Sequence, residues 1–382
     1  VKSPFPLAAL VLLCAAVLEG QTEPTGQTKK PSPFKDPEDG ALDVGGWIST
    51  RTGILPLPIL ITEPAIGYGG GLGLVLIHGG GIGGLRDAPP GVTGKPTPPD
   101  ISALAGAATE NGTWAVLGAH VGFWGGDRWR YTGAAGRISP RLDTYDGAGN
   151  AYRFNLDGWT LYQELRRRMG LTDLFLGMRY VLLDTDTHFE HEARPPDVPA
   201  REFHTTDSAL GAVAEFDTRN NIFTPSSGIL IKASAMFYGT YIGGDHDYQR
   251  YTVDGAFYWD VSPWLVLATR LRTQSVPGDA PFYARPSVRL RGIPTMRYQG
   301  ETAVSLDGEA RFNVSSRWWL VAFAGGGWTD AGSIKVLEDQ KVHAGGVGFR
   351  YLIARILGIQ TGIDVARGPE KWAFYFVFGS SW

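Results

Sequence analysis

The sequence predicts an all-β protein, a transmembrane antiparallel β-barrel of about sixteen strands with a long luminal loop before the twelfth. Three observations predict it. From Ile54 onward, pieces of strand length alternate apolar and polar residues and are separated by Gly, Pro, Asn and Asp turns. Glycine is abundant, 52 of 382 residues, about twice the usual share of ~7%. Aromatic residues make up 12% of the chain and charged residues only 19%, with no run of ~20 apolar residues after the leader that would span as a helix. A secreted soluble β-protein shares much of this composition. The net charge of -3 argues against nucleic acid as a partner.

Residues 1–20 read as a secretory signal. Lys2 is the basic start, Leu7 to Leu18 the apolar region and Gly20 a cleavage position. About a dozen apolar residues are too few to cross a membrane. The single cysteine, Cys14, falls in this leader, so the mature chain is expected to carry no thiol, which fits an oxidising compartment. Leu13 is too bulky for the small residue that precedes a lipidated cysteine. Residues 21–45 are polar and rich in Pro and Lys and read as a disordered periplasmic linker. No folded periplasmic domain fits between that linker and the first strand. Residues 46–382 read as the barrel.

The expected strands follow in order. Ile54–Thr62 and Ile66–His78 are joined by a short Glu63-Pro64-Ala65 turn, and a Gly/Pro-rich stretch leads to Asp100. Then come Ile101–Thr109, Thr113–Trp124, Arg128–Ser139 and Tyr152–Arg166. Leu174–Leu183, Asp207–Thr218, Gly228–Tyr238, Tyr248–Asp260 and Trp264–Thr273 follow. The last five are Thr302–Asn313, Arg317–Gly327, Val342–Ile353, Gly358–Val365 and Lys371–Trp382. Alternation assigns faces. Tyr251, Val253, Phe257 and Trp259 face lipid, and Thr252, Asp254, Tyr258 and Asp260 line the lumen. Ile229, Ile231, Ala233, Ala235 and Phe237 likewise oppose Lys232, Ser234 and Tyr238. Connections alternate between short (Gly125-Gly126, Ser262-Pro263, Ser315-Ser316) and long (Asp184–Thr206, Gln274–Glu301), as strands that shuttle between two membrane faces require. The stretch from Gly79 to Asp100 is the exception, long where a short turn is expected.

The segment from Pro281 to Asn313 departs from this pattern. Its first part is rich in Arg and Pro. Its second part places Ser305, Asp307, Glu309 and Arg311 on one face and Val304, Leu306, Gly308, Ala310 and Phe312 on the other. A basic loop delivered onto a strand with inward acids predicts a plug, in which Arg289, Arg291 or Arg297 reaches Asp307 or Glu309. A buried arginine requires such carboxylates.

The run Leu290-Arg291-Gly292-Ile293, followed by Arg297-Tyr298-x-Gly300-Glu301 and Glu309-x-Arg311-Phe312, resembles the bacterial surface-antigen superfamily of outer-membrane barrels. That group includes the BamA and TamA insertases and the two-partner-secretion transporters. The resemblance makes Arg291 the tip arginine of a loop folded into the lumen, with Gly292, Ile293 and Arg297 around it. Ile293 stands where the family has an aromatic residue. A second motif, Phe216-Asp217-Thr218-Arg219-Asn220-Asn221-x-Phe223-x-Pro225-x-x-Gly228, is similar to the family's turn between the eighth and ninth strands. There Asp217 and Asn220 can bond backbone amides, Pro225 stiffens the loop and Gly228 allows positive φ. Gly346-x-Gly348-x-Arg350-Tyr351 and Gly362-x-Asp364-Val365 resemble the family's penultimate strands, with Arg350 and Asp364 pointing inward. Trp372, Phe374, Phe376, Phe378 and Trp382 share parity, like the C-terminal signal read by the outer-membrane assembly machinery. Ser380 departs from that signal's usual apolar residue.

One departure bears on the loop. Family members carry an Asp on the thirteenth strand that pairs with the loop arginine, and here Gly325 occupies the position. The partner of Arg291 is then Asp307, Glu309 or Asp364. The resemblance implies an outer-membrane insertase or polypeptide-transport pore without periplasmic polypeptide-transport domains. Its partners would be client polypeptides, outer-membrane lipid and lipopolysaccharide, and the barrel assembly machinery for its own insertion. The alternative is a passive diffusion channel or a structural barrel. No enzymatic activity, metal or cofactor is expected. His188-x-x-His191-Glu192 lacks the His-Glu-x-x-His spacing, and the glycines of Gly67–Gly73 precede no helix.

Overall fold

A chain whose strands are apolar on one side and polar on the other buries neither face fully in an open sheet, and closure also removes the unpaired edges. The computed structural model describes residues 34–50, 54–78, 91–94, 97–146, 148–190, 195, 198, 203–334 and 337–382. The expected signal, most of the Gly79–Asp100 stretch and His191 lie outside the described residues. The strands are β1 (Ile54–Glu63), β2 (Gly67–Ile77), β3 (Ile101–Thr109), β4 (Trp114–Trp124), β5 (Trp129–Ser139), β6 (Arg141–Tyr145), β7 (Ala151–Arg168), β8 (Leu174–Phe189) and β9 (His204–Asp217). They continue as β10 (Gly228–Tyr238), β11 (Tyr248–Ser262), β12 (Leu265–Ser275), β13 (Thr302–Asn313), β14 (Trp318–Asp330), β15 (Gln340–Ala354), β16 (Ile359–Arg367) and β17 (Trp372–Phe378). Both β5 and β6 pair with β7, so they are one strand interrupted at Pro140, which has no N–H to give the ladder. The result is an antiparallel, nearly closed barrel of sixteen staves.

Side chains sort as alternation requires. On β11, Trp259 is 57% exposed and its neighbour Tyr258 is 2% exposed. On β13, Ser305, Asp307, Glu309 and Arg311 are buried while Leu306 on the other face is exposed. Outward tryptophans form two rings. Trp124, Trp129, Trp259, Trp264 and Trp318 mark the end carrying the short β4–β5, β11–β12 and β13–β14 turns, called here the turn end. Trp159, Trp328 and Trp372 mark the opposite, loop end. Aromatic girdles at two levels fit the two interfaces of a bilayer. Several strands outrun their expected lengths, β8 the most. β8 continues to Phe189 and so takes in His188, and the connection to β9 shortens to residues 190–203.

Every consecutive pair of staves is laddered except the pair that closes the ring. Among the described residues, β1 ladders only with β2 and β17 only with β16. Across this seam, the Phe376 N–H donates to Thr62 Oγ1 at 3.0 Å, and Lys371 Nζ donates to the Pro64 carbonyl at 3.5 Å.

Two expectations require correction. The last twelve residues of the stretch read as a disordered linker are ordered. Asp36 and Asp43 are buried, Lys35 bridges to Leu42, and Gly45–Thr50 forms helix α1. Opposite charge supplies the reason. Arg317, on the β13–β14 turn, pairs with Asp36 at 2.5 Å, Asp39 at 2.6 Å and Asp43 at 3.0 Å. Arg355, on the β15–β16 turn, pairs with Asp36, Glu38 and Asp39. Val44 and Ile48 pack on Ile353, Ile359 and Phe378, while Trp47 packs on Leu55 and Leu57 of β1. The segment therefore bridges the turn end of the seam.

The second correction concerns the aromatic end of the chain, expected as one strand through Trp382 with its aromatics on a single face. Phe374 is exposed and Phe376 half-buried, but β17 stops at Phe378, which is buried beneath α1. Gly379 has φ +72°, and a Cβ there would lie 2.7 Å from the Phe223 carbonyl oxygen. The strand breaks at that glycine, and residues 380–382 turn into the barrel.

Candidate functional site

The connection between β12 and β13 runs through the inside of the barrel. The Val276 N–H donates to the Glu301 carbonyl and closes the loop at its base. Phe282, 0% exposed, packs edge-on against Phe154 of β7 at 4.9 Å and at a tilt against Phe189 of β8 at 5.4 Å. Arg250 of β11 donates to the Ala284 carbonyl at 2.8 Å. Gln299 accepts from Thr144 Oγ1 of β6 at 3.1 Å. At the far wall, Arg297 donates to Glu370 at 2.6 Å and lies over the ring of Tyr145 at 4.6 Å. Thr295 Oγ1 donates to Glu63 of β1 at 3.3 Å. One loop touches β1, β6–β8, β11 and the β16–β17 turn, which is possible only from within.

The tip is a narrow hairpin, with the Val288 N–H donating to the Tyr298 carbonyl at 3.0 Å. Gly292 has φ +94°, and a Cβ there would lie 3.0 Å from the Gly368 backbone nitrogen, so no larger residue fits. Its N–H donates to the Tyr375 hydroxyl of β17 at 2.8 Å. Ile293 packs with Val288, Leu290, Val342 and Ala344.

Arg291 projects from this tip into the carboxylates that parity turned inward. Its Nη1 lies 2.7 Å from Glu309 and 2.8 Å from Asp364, and its Nη2 lies 3.9 Å from Asp307. Its guanidinium carbon stands 3.5 Å from the ring centroid of Phe323. Each of the two close carboxylates holds a second arginine. Arg311 donates to Glu309 at 2.6 Å, and Arg350 donates to the two oxygens of Asp364 at 2.6 and 3.0 Å. Gly348 makes room for this, since a Cβ there would lie 2.0 Å from Asp364 Oδ1. Gly325, at the usual position of the acid, has a different use. A Cβ on it would lie 2.7 Å from Leu290, so its bareness lets the loop tip seat against β14. The ion pairs of the brace thus run to β13 and β16, while β14 meets the loop tip through the ring of Phe323 and the space at Gly325.

The turn between β9 and β10 closes the other end. Arg219 makes a two-point pair with Asp217 at 2.9 Å per contact. The Thr218 hydroxyl accepts the Ile229 N–H at 3.0 Å, and Asn220 Oδ1 accepts those of Ser226 and Ser227 at 3.1 and 3.2 Å. Gly228 has φ +105°. Asn221 Nδ2 donates to the Leu357 carbonyl at 2.9 Å, which ties this turn to the β15–β16 turn. Arg311 Nη1 donates to the Pro225 carbonyl at 2.9 Å. From below, Arg311 Nη2 also donates to Ser380 Oγ at 3.2 Å, Ser381 Oγ to Glu309 at 3.1 Å, and Trp382 Nε1 to Asp307 at 3.0 Å.

The site that results is a buried charge network joining the loop tip, β13, β16, the β9–β10 turn and residues 380–382. Sequence reasoning missed one part of this network and the separate clasp at the turn end. The inward course of Trp382 had one signal, Gly379. The clasp of Arg317 and Arg355 on the acidic segment had the density of acids at Asp36, Glu38, Asp39 and Asp43. In that clasp the hydrogen bond from Arg317 holds the Asp39 carboxyl down at about 2, and the same acids raise Arg317 above its ordinary value.

The Omp85 superfamily domain matches residues 144–334 of the chain. No curated protein sequence matches it. Among solved structures, the chain is similar to BamA from Haemophilus ducreyi lacking POTRA domains 1-3, with TM-score 0.55 and 13% identity over 86% of this chain and 70% of that one. It is also similar to CdiB from Acinetobacter baumannii, with TM-score 0.56 and 11% identity over 85% of this chain and 59% of that one. For CdiB from Escherichia coli the TM-score is 0.56 and the identity 12%, over 85% of this chain and 61% of that one. At these identities the likeness is one of fold. The chain spans about three fifths of the length of the two CdiB proteins.

Proposed function

The chain belongs to the Omp85 superfamily, and from that premise we propose that it acts in the outer membrane of a Gram-negative bacterium, in outer-membrane protein assembly or polypeptide transport. The observation that supports this most is the seam. Fifteen of the sixteen junctions between staves carry a backbone ladder, and the β1–β17 junction carries none among the described residues. Strand edges with unpaired N–H and C=O groups can template an incoming strand. The brace supports the same reading. Arg291 fixes the wall at β13 and β16, and Gly292 holds Tyr375 of β17, so the loop steadies the stave next to the seam. In this reading the turn end faces the periplasm. Client polypeptides, membrane lipid and lipopolysaccharide are the partners at the seam, and the barrel assembly machinery is needed for the protein's own insertion. The reading requires no catalytic group.

The test is a seam lock. Thr62→Cys with Phe376→Cys joins the two strands where one hydrogen bond now crosses. In vesicles, the oxidised variant is expected to lose the acceleration of client barrel folding, and reduction to restore it. Equal client folding in locked and reduced protein would remove the insertase reading and leave the passive channel or structural barrel.

A further inference from the structure

Arg289 and Arg291 stand two residues apart on one hairpin arm, and their surroundings differ in sign. Arg291 meets three carboxylates. Arg289 makes no ion pair among the described residues. Its N–H donates to Ser305 Oγ at 3.0 Å, which seats it on the inner wall at β13. Ser305 is the cross-strand partner of Arg272 on β12, and Arg272 that of Asp254 on β11. Asp254 is taken by Arg270, whose Nε and Nη2 donate to it at 2.7 and 2.5 Å. Arg272 comes no closer to it than 3.9 Å. Arg250 uses one nitrogen on the Ala284 carbonyl and faces the ring of Tyr238 at 5.8 Å.

The charges of Arg272, Arg250 and Arg270 all bear on Arg289. The acid that opposes them, Glu63, accepts from Thr295 and makes no ion pair with Arg289. Asp207 bears on Arg250 without a hydrogen bond to it. The Nε–H groups of Arg250, Arg272 and Arg289 are buried and meet no acceptor among the described residues. A buried donor left unsatisfied costs about 1–3 kcal/mol, and more when it is charged. One patch of wall therefore carries four guanidiniums, one bonded carboxylate and three idle charged donors.

We propose that this patch, on β11 and β12 beneath Arg289, is a luminal binding site for a phosphate group. The guanidinium fork presents paired N–H donors that fit the oxygens of a tetrahedral oxyanion, and a double negative charge offsets the local excess. The phosphate is either the free inorganic ion or the headgroup of a lipid entering at the seam. This assignment is independent of whether the barrel inserts clients.

The experiment uses the full chain refolded in a glycoside detergent, which carries no phosphate. Millimolar inorganic phosphate is expected to raise the unfolding midpoint by about 3 °C over sodium chloride of equal ionic strength. Arg289→Gln and Arg272→Gln are expected to abolish that increment. Each is also expected to unfold at or above the wild-type midpoint without phosphate, because it relieves crowding of like charge. A short-chain phosphatidic acid replaces inorganic phosphate in the second arm. A shift with the lipid alone assigns the site to a headgroup, and a shift with inorganic phosphate assigns it to the free ion. If a variant does not refold, phosphorus NMR on the wild type reads the site directly, as line broadening reversed by sulfate. No shift from either phosphate source, the same shift from chloride, an unbroadened phosphorus line, or an increment retained in both variants would overturn the proposal.

Discussion

Trp382 Nε1 donates to Asp307 Oδ2 at 3.0 Å, although 75 residues and four strands separate them along the chain. Asp307 also faces Arg291 at 3.9 Å. The loop that descends from one mouth of the barrel and the chain end that rises from the other thus meet on one carboxylate. Ser381 repeats the arrangement on Glu309, which Arg291 and Arg311 already hold.

Trp382→Phe keeps the ring against Tyr258 and removes the indole N–H. The expected loss is about 1 kcal/mol, the usual worth of one such bond. A lower temperature of barrel unfolding in heat-modifiability gels checks it, and an unchanged temperature would mean that Trp382 does not hold Asp307 in the membrane.

Arg291→Ala removes the contacts to Glu309 and Asp364, but each acid keeps a second arginine. The expected cost is about 2 kcal/mol, below that of stripping a lone buried pair. Arg289→Ala, which breaks no ion pair, is expected to cost nothing or to stabilise. The same gels, run side by side, compare the two. Equal and negligible effects would count against the brace.

The clasp at the turn end has a defined response to acid. Asp39 is held at about 2 by Arg317, below the unfolded value of a carboxyl, so its contribution is complete above the unfolded value and is lost as pH falls through about 2. Pepsin works across this range. The segment around Leu42 and Trp47 is expected to resist cleavage at pH 4 and to be cut near pH 2 and below. In Arg317→Gln it is expected to be cut at both, and resistance in that variant would show that the clasp does not depend on charge.

The loop fills the lumen between β1, β7 and β16, so the wild-type protein should conduct poorly across a planar bilayer. Deletion of Pro281–Tyr298 is expected to give a large, steady pore. A wild-type conductance that is already large and unchanged by the deletion would favour the passive channel.

Much of this was legible before the structure, for a physical reason. A strand has period two, so parity along β13 placed Asp307 and Glu309 on the inner face; the surface-antigen resemblance singled out Arg291 among the loop arginines and added Asp364 to its candidate partners. Parity fails where the backbone leaves the strand. It carried the aromatic count through Gly379 to Trp382, but the positive φ at that glycine turns the chain inward. The acidic segment was illegible for another reason. Its Pro, Lys and acid content reads as disorder, and its order depends on distant partners, Arg317, 278 residues away from Asp39, and the Ile353, Ile359 and Phe378 side chains that receive Val44 and Ile48. From the sequence Gly325 is only the absence of an acid, and the structure shows it as the hollow that receives Leu290.

The bridge formed by residues 34–50 also sets a mechanical limit on the seam. It is bound to the β13–β14 and β15–β16 turns, on the β17 side, yet it continues directly into β1. Three residues separate Thr50 from Ile54, a tether that spans no more than about 14 Å at full stretch. While the clasp holds, β1 cannot travel beyond that tether at the turn end. At the loop end the two edge strands are joined by hydrogen bonds alone among the described residues, directly from Lys371 to Pro64 and through the luminal loop from Thr295 to Glu63 and from Gly292 to Tyr375. Any parting is therefore hinged near α1, and at the opposite mouth it requires these hydrogen bonds to break. Its full width becomes available only when Arg317 and Arg355 release their acids.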